Sequence, residues 1–385
     1  MYKDALTLEG LTLSYSANPL PKHWKQSSFD QESSFHELSP YIGKLTSRIA
    51  RELVSRYTKV GDLVVDPFAG SGTIPLESAI AGRRTFASDT SPYARVLTVA
   101  KLTAPTCLFE ALDMFETAFE EAQKLSLPDL RQVPAWVRKF FHPETLKETI
   151  NFSIVCRKPG REFLLACLLG VLHHQRPGFL SFPSSHLVPY LRDRLFPPKQ
   201  YPEMYSYRSL RPRLIAKIER AYRRDFERNA ELLIGFQQKS IQRAIFPENF
   251  DALITSPPYM NALDYGRDNR LRLWFIEPTT DWRIQERPTS RSAAFQSTVN
   301  AIANRADKGL RPNGYCILVV GEESHRKSKN HPSQKVVDSI LATKTSLSLV
   351  DVLEDSIPDV RRSRRECRGV KTEHILVFRK NKNAR

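Results

Sequence analysis

Asp66-Pro67-Phe68-Ala69-Gly70-Ser71-Gly72-Thr73 is the first segment whose residue types and spacing suggest chemistry. It begins on an acid that closes an apolar run and carries two glycines one residue apart. Glycines so placed let the backbone turn sharply and approach a ligand without a Cβ in the way. A helix starting at the turn aims its unpaired N–H groups at the same spot, which suits a carboxylate or phosphate. A G-x-G turn alone is also a common structural device; the whole octapeptide is more specific. It lacks the third glycine of the dinucleotide fingerprint and the Lys-Ser/Thr of a phosphate loop. Asp89 closes the next apolar run, 23 positions after Asp66. An acid there can accept from both hydroxyls of a ribose, and the competing reading is an N-cap for the following helix. The third segment is Thr255-Ser256-Pro257-Pro258-Tyr259. Its prolines fix the chain, withdraw two donors and leave carbonyls pointing outward. Ser256 adds an oxygen acceptor, Pro257 a rigid carbonyl and Tyr259 an aromatic face. Together with Pro258 they suit an NH2 group held by two acceptors on a stacked ring, although Ser-Pro-Pro in isolation also reads as a plain loop.

The elements that must position these residues follow from hydrophobic pattern. Asp62 to Asp66 is a short β-branched run, hence a buried strand; Ile74 to Ala81 resumes as a helix with Gly82 as its stop. Thr85 to Ser88 is the next strand, and a helix follows from Pro92 to Leu102. Upstream, Leu45, Ile49, Leu53 and Val54 fall at helical spacing between Pro40 and Tyr57. This is one βαβ unit of a parallel sheet. From Pro105 to Arg228 the alternation stops and the pattern is mostly helical, with Pro-rich breaks, which predicts an inserted lobe. Strands return at Glu231–Ile234, Asp251–Thr255, Tyr315–Val320, Leu347–Leu353 and His374–Phe378, with a helix at Ser333–Ala342. The expected architecture is α/β, a seven-stranded sheet closed by a β-hairpin and carrying a helical insert. Its parts are an irregular N-terminal arm (1–35), a first half (36–104), the insert (105–230) and a second half (231–385).

The Asp66–Thr73 and Thr255–Tyr259 segments together resemble the motif pair of the S-adenosylmethionine-dependent DNA amino-methyltransferases. Serine at the head of Ser256-Pro257-Pro258-Tyr259 is similar to the N4-cytosine members, whereas N6-adenine members usually have Asp or Asn there. The resemblance implies a Rossmann-like class I methyltransferase fold. It also implies that Asp66 to Gly72 hold the methionine part of S-adenosylmethionine and Asp89 its ribose. His36-x-x-x-Pro40-Tyr41-Ile42-Gly43-Lys44-Leu45 resembles the family's upstream motif, which implies that His36, Gly43 and Lys44 line the methionine end. Gly309 to Gly314 resembles the turn before a family strand, and Glu373 to Lys380 its last strand. Where members often show Gly-Asp for the adenine amino group, this chain has Gly235-Phe236-Gln237-Gln238. The motif order is that of the class whose target-recognition region lies between the motifs, and the expected reaction is direct in-line transfer to a flipped base.

Charge agrees with a polyanionic partner. Lys plus Arg number 58 against 42 Asp plus Glu, a net charge of +16, which raises the local concentration of phosphates. Arg208, Arg211, Arg213, Arg220, Arg223 and Arg224 are interleaved with aromatic residues in the insert. They read as a basic helix face for double-stranded DNA or as a solvated helix covering the core. Arg361, Arg362, Arg364 and Arg365 form a second cluster between the last two strands, expected to grip phosphate. The five cysteines, Cys107, Cys156, Cys167, Cys316 and Cys367, are scattered with no C-x-x-C spacing, so neither a zinc site nor a disulfide framework is expected. His173-His174 reads as structural. Without a signal-peptide pattern or a membrane-length apolar run, a reducing cytoplasmic setting is expected. A cognate restriction endonuclease and the oligomeric state stay open.

Overall fold

The computed structural model describes residues 15–25, 32–174, 176–183, 192–224, 229–258, 265–280, 291–321, 332–343, 345–356 and 372–382. Its strands are β1 (Asn18–Pro19), β2 (Leu63–Asp66), β3 (Arg84–Ser88), β4 (Leu233–Gln237), β5 (Phe250–Thr255), β6 (Leu310–Gly321), β7 (Leu347–Ser356) and β8 (Thr372–Lys380). They form one sheet in the order β1-β7-β8-β6-β5-β2-β3-β4. All neighbours are parallel except β8, which runs antiparallel to both β6 and β7. Strand order reverses between β2 and β5, the crevice where open α/β sheets bind ligands.

Period-2 alternation sends the strands' apolar residues to two faces. Leu63, Val65, Leu253, Cys316, Leu318, Leu376 and Phe378 enter one core. Val64, Ala252, Ile254, Ile317, Val319, Ile375 and Val377 enter the other, with Trp24. The helices are α1 (Ser47–Tyr57), α2 (Thr73–Ile80), α3 (Pro92–Leu102), α4 (Leu108–Gln123), α5 (Ala135–Arg138), α6 (Pro143–Cys156), α7 (Glu162–Val171), α8 (Arg192–Leu195), α9 (Leu210–Ala221), α10 (Tyr265–Ile276), α11 (Arg291–Gly309) and α12 (Pro332–Ala342). Helices α11 and α12 cover the first face, and α1 with Ile74 of α2 the second. A third core joins Leu76, Tyr93, Val96 and Leu97 of α2 and α3 to Phe115, Phe152, Leu168 and Leu214 of the insert, and to Phe275 of α10. The described helices between 105 and 230 share this core with the βαβ unit.

Four details depart from the sequence reading. The arm contributes a strand, since Asn18 and Pro19 pair with Leu353 and Glu354 at the sheet edge. Helix α1 starts only at Ser47, so Pro40 to Thr46 is loop. Gly309–Gly314 is not a free turn. Strand β6 begins at Leu310, and the segment is absorbed as an irregularity where β5–β6 register shifts between Phe250 and Ala252. Asn313 takes φ 65° there, and a side chain on Gly309 would meet the Phe250 ring at 2.2 Å. The β4 strand lies a little downstream of Glu231–Ile234. Among the described residues no helix is long and apolar enough to cross a membrane.

Candidate active site

The two motif loops leave neighbouring parallel strands at the same sheet edge. Val64 and Val65 of β2 pair with Ala252 and Leu253 of β5, so the turn after Asp66 and the turn after Thr255 emerge side by side. A hydrogen bond joins them: the Thr255 hydroxyl donates to Asp66 Oδ1 at 2.6 Å. The same oxygen accepts from Phe68 N at 3.1 Å and so starts the turn. Asp66 is buried, and that burial pushes its carboxyl up to about 7 against these bonds.

The glycine loop needs its glycines. Gly70 has φ 50° and Gly72 φ 74°, conformations that strain any residue with a side chain. A Cβ on Gly72 would lie 2.8 Å from Thr98 Cα, so glycine also lets the loop seat against α3. Ala69 N donates to Ser88 O at 3.1 Å, which ties the loop to the end of β3, while Ser71 and Thr73 share a hydroxyl bond at 2.9 Å. Pro67 is buried and Phe68 half-buried. Asp89 sits beyond β3 with its carboxylate toward this loop. Oδ2 accepts from Gly70 N and Oδ1 from Ser91 N, both at 2.9 Å. Burial raises its pKa against the pull of these N–H groups. Asp89 thus ties the glycine loop to Ser91, the N-cap position of α3, where the cap itself carries no side-chain hydrogen bond.

On the second loop Ser256 is half-buried, Pro257 buried and Pro258 exposed. The Ser256 hydroxyl donates toward Val319 O of β6 at 3.4 Å. Tyr259 lies outside the described residues, as does the Arg361–Arg365 cluster.

The upstream motif packs behind the glycine loop. His36 is buried, with Nε2 2.7 Å from Glu77 Oε1, and Arg51 Nε holds the other Glu77 oxygen at 3.0 Å. Desolvation lowers the His36 pKa and outweighs the pull of Glu77. His36 thus faces Glu77 of α2. Lys44 Nζ donates to His36 O at 3.1 Å and braces the segment, and Gly43 is exposed with φ 76°. The buried Lys101 ammonium donates to the Ser71 carbonyl, bracing the loop from α3. The residue that reaches the loop is Tyr41, which sequence reading passed over. Its ring stacks on Tyr93 at 5.7 Å and lies 3.3 Å from the Cβ position of Gly70. An aromatic residue next to Pro40 in that motif was the available signal. Near the expected adenine position, Gln237 is already used: its amide donates to Ile245 O and accepts from Ile245 N, at 2.9 and 3.0 Å. Gln238 is exposed.

The basic residues of the insert divide. Arg211 pairs with Glu116, and Arg224 with Glu37 and the Glu32 carbonyl. Arg220 and Arg223 are exposed. Arg208 stacks 4.2 Å over Phe182 and donates to Pro177 O at 2.6 Å. Arg213 donates to Ser209 O at 2.8 Å. His173 is held by Ser181 at 2.9 Å and His174 stacks on Phe179 at 4.6 Å, so both have structural bonds. Cys156, Cys167 and Cys316 are buried, and burial raises their thiols, to about 12 for Cys167 and Cys316. Among the described residues no group of three His, Cys, Asp or Glu is placed to hold a metal ion.

A sheet ordered with two parallel wings and an inserted antiparallel β8, with a glycine loop after β2 and an acid after β3, has the Rossmann-like class I methyltransferase fold. Residues 15–99 match the DNA methylase family of N6/N4 type. Over that stretch the chain is similar to the DNA methylases of N6/N4 type, whose methyl donor is S-adenosylmethionine. S-adenosylmethionine is the cofactor of that family, and a loop whose two positive-φ glycines face the Asp89 carboxylate fits it. The chain is 30% identical over 113 residues to the type II methyltransferase M.MjaII of Methanocaldococcus jannaschii, a stretch covering 29% of this chain and 19% of that protein. It is 23% identical over 280 residues to the type II methyltransferase M.MvaI of Kocuria varians, covering 64% of this chain and 58% of that one. The chain therefore matches less than two thirds of the length of either relative. Among solved structures it is similar to TrmN from Thermus thermophilus, with 12% identity, TM-score 0.36, and coverage of 90% of this chain and 52% of that one.

Proposed function

We propose that the protein transfers a methyl group from S-adenosylmethionine to N4 of cytosine in double-stranded DNA, at a base turned out of the stack. The observation that carries this reading is the Thr255–Asp66 hydrogen bond, which locks the glycine loop and the Ser-Pro-Pro loop together at the strand-order switch. In this reading Asp66 to Thr73 form the methionine cradle, walled by Tyr41, with Asp89 on the ribose. His36 and Lys44 hold the cradle from behind through Glu77 and the His36 carbonyl. S-adenosylmethionine supplies an electrophilic methyl group on a positively charged sulfur.

An exocyclic base amine is a weak nucleophile because its lone pair is delocalised into the ring. The Ser256 oxygen and the Pro257 carbonyl accept its two N–H bonds, which favours a more pyramidal nitrogen, while Tyr259 stacks the ring. The Ser256 hydroxyl donates toward Val319 O at 3.4 Å, which orients its oxygen at the end of β5. Holding nitrogen and methyl at near-attack distance supplies much of the acceleration. Serine at the head of the tetrapeptide favours cytosine over adenine. The 105–230 helices are assigned to target recognition, and the protein to the cytoplasm beside a cognate restriction endonuclease.

Nucleoside mass spectrometry of duplex DNA methylated by the purified protein tests the assignment. N4-methylcytosine is the expected product, and N6-methyladenine alone would overturn it.

A further inference from the structure

Tyr93, in the first turn of α3, is fully buried and yet carries a hydroxyl. Packing alone would be served by a phenylalanine, because a hydroxyl taken out of water costs free energy unless it is hydrogen-bonded. This one is bonded to the loop that leads into α1. It lies 2.6 Å from the Ser39 hydroxyl and 2.7 Å from the Pro40 carbonyl. The carbonyl can only accept, so the phenol proton goes there and the Ser39 hydroxyl donates the second bond. Burial raises the Tyr93 pKa against the pull of Arg272, which keeps that proton in place. The Arg272 guanidinium, on α10, lies 6.0 Å from the centre of the ring and is itself anchored through Nε to Leu169 O at 3.2 Å. Ring and hydroxyl are both held.

What this hydroxyl fastens is the base of Tyr41. Pro40 to Thr46 belongs to no strand or helix, so side-chain bonds must fix where the Tyr41 ring stands. That ring stacks on Tyr93, with centres 5.7 Å apart and planes tilted by 29°, a contact through which a shift of Tyr93 is passed on. It also reaches 3.3 Å from the Cβ position of Gly70. Gly70 is therefore addressed twice from one short stretch of chain. Asp89 accepts from its N–H at 2.9 Å, and Tyr93, four residues on, sets the ring that flanks it.

We infer that Tyr93 is a positioning residue for S-adenosylmethionine: its hydroxyl fastens Ser39 and Pro40 so that Tyr41 walls the glycine loop. This rests on the cofactor reading of that loop. Tyr93 acts through Tyr41 and touches no reacting atom. The test is calorimetry of S-adenosylmethionine binding to wild type, Tyr93→Phe, Tyr41→Ala and the double variant. Tyr93→Phe keeps the ring and removes the bonds, and is expected to weaken binding about tenfold. Tyr41→Ala is expected to weaken it by at least as much. Adding Tyr93→Phe to Tyr41→Ala should change little further, since the phenol acts through that ring. A tyrosine that only filled the core would lower Tm and show no such coupling. Wild-type affinity in Tyr93→Phe, or losses that multiply in the double variant, would overturn the inference while leaving the cofactor reading intact. A wild-type protein that does not bind S-adenosylmethionine would overturn both. Should Tyr93→Phe lose its cooperative unfolding transition, Ser39→Ala is read in the same way, with a loss of about threefold expected.

Discussion

At Asp66 one carboxyl oxygen accepts from Thr255 and Phe68, yet burial holds the group near the neutral form. A carboxyl with a pKa of about 7 when folded and 3.8 when unfolded keeps a proton that the unfolded chain releases. Stability from this group therefore falls as pH rises from about 4 to 7 and is level above that. Asp66→Asn keeps an oxygen for both donors and removes the penalty. It is expected to be more stable than wild type at pH 8, by on the order of 2–4 kcal/mol, with the gap narrowing at pH 5. Urea melts at the two pH values check this, and equal midpoints at pH 8 would refute it. Asp89→Ala should weaken S-adenosylmethionine binding at least about tenfold with the fold retained, measured by calorimetry. Asp89→Asn, which keeps an acceptor for Gly70 N, should lose less. Ser256→Ala should lower kcat by roughly 10–100-fold while leaving cofactor affinity near wild type; wild-type turnover would remove Ser256 from its assigned role.

Among the elements, the glycine loop and α3 are coupled through Gly72. Gly72→Ala combines a φ of 74° with a Cβ 2.8 Å from the Thr98 backbone. It is expected to cost about 2–3 kcal/mol, read as a lowered Tm together with weaker cofactor binding. The loop and the strands on either side of it were legible in the sequence because their signals are local. Apolar runs end on Asp66, Asp89 and Thr255, and glycines stand where φ turns positive. Tyr41 was not legible, since its role depends on Tyr93 and Gly70 coming together from separate elements. The His36 partner was hidden for the same reason: only the fold shows that Glu77 stands 2.7 Å away. The arm's β1 strand escaped notice because two residues carry no period. The fate of each arginine depends on whether an acid such as Glu116 or Glu37 lies opposite, which spacing along a helix does not reveal.

Over the whole molecule, the sheet has a long edge at β7 that the arm partly covers. Asn18 and Pro19 pair with it, and Leu20 N donates to Glu354 O at 2.8 Å. Exposed strand edges pair with other chains. Removing residues 1–20 should lower Tm and promote association on warming, seen by light scattering; unaltered scattering would show that the arm does not protect this edge. The position of β5 beside β2, with the insert's codons lying between theirs, also sets a schedule for synthesis. At about 5–20 residues per second, β2 waits on the order of ten to forty seconds for its central neighbour to be made. The helices packed on α3 emerge during that interval, so the segment assigned to recognising DNA is also the first shelter available to the nascent cofactor half.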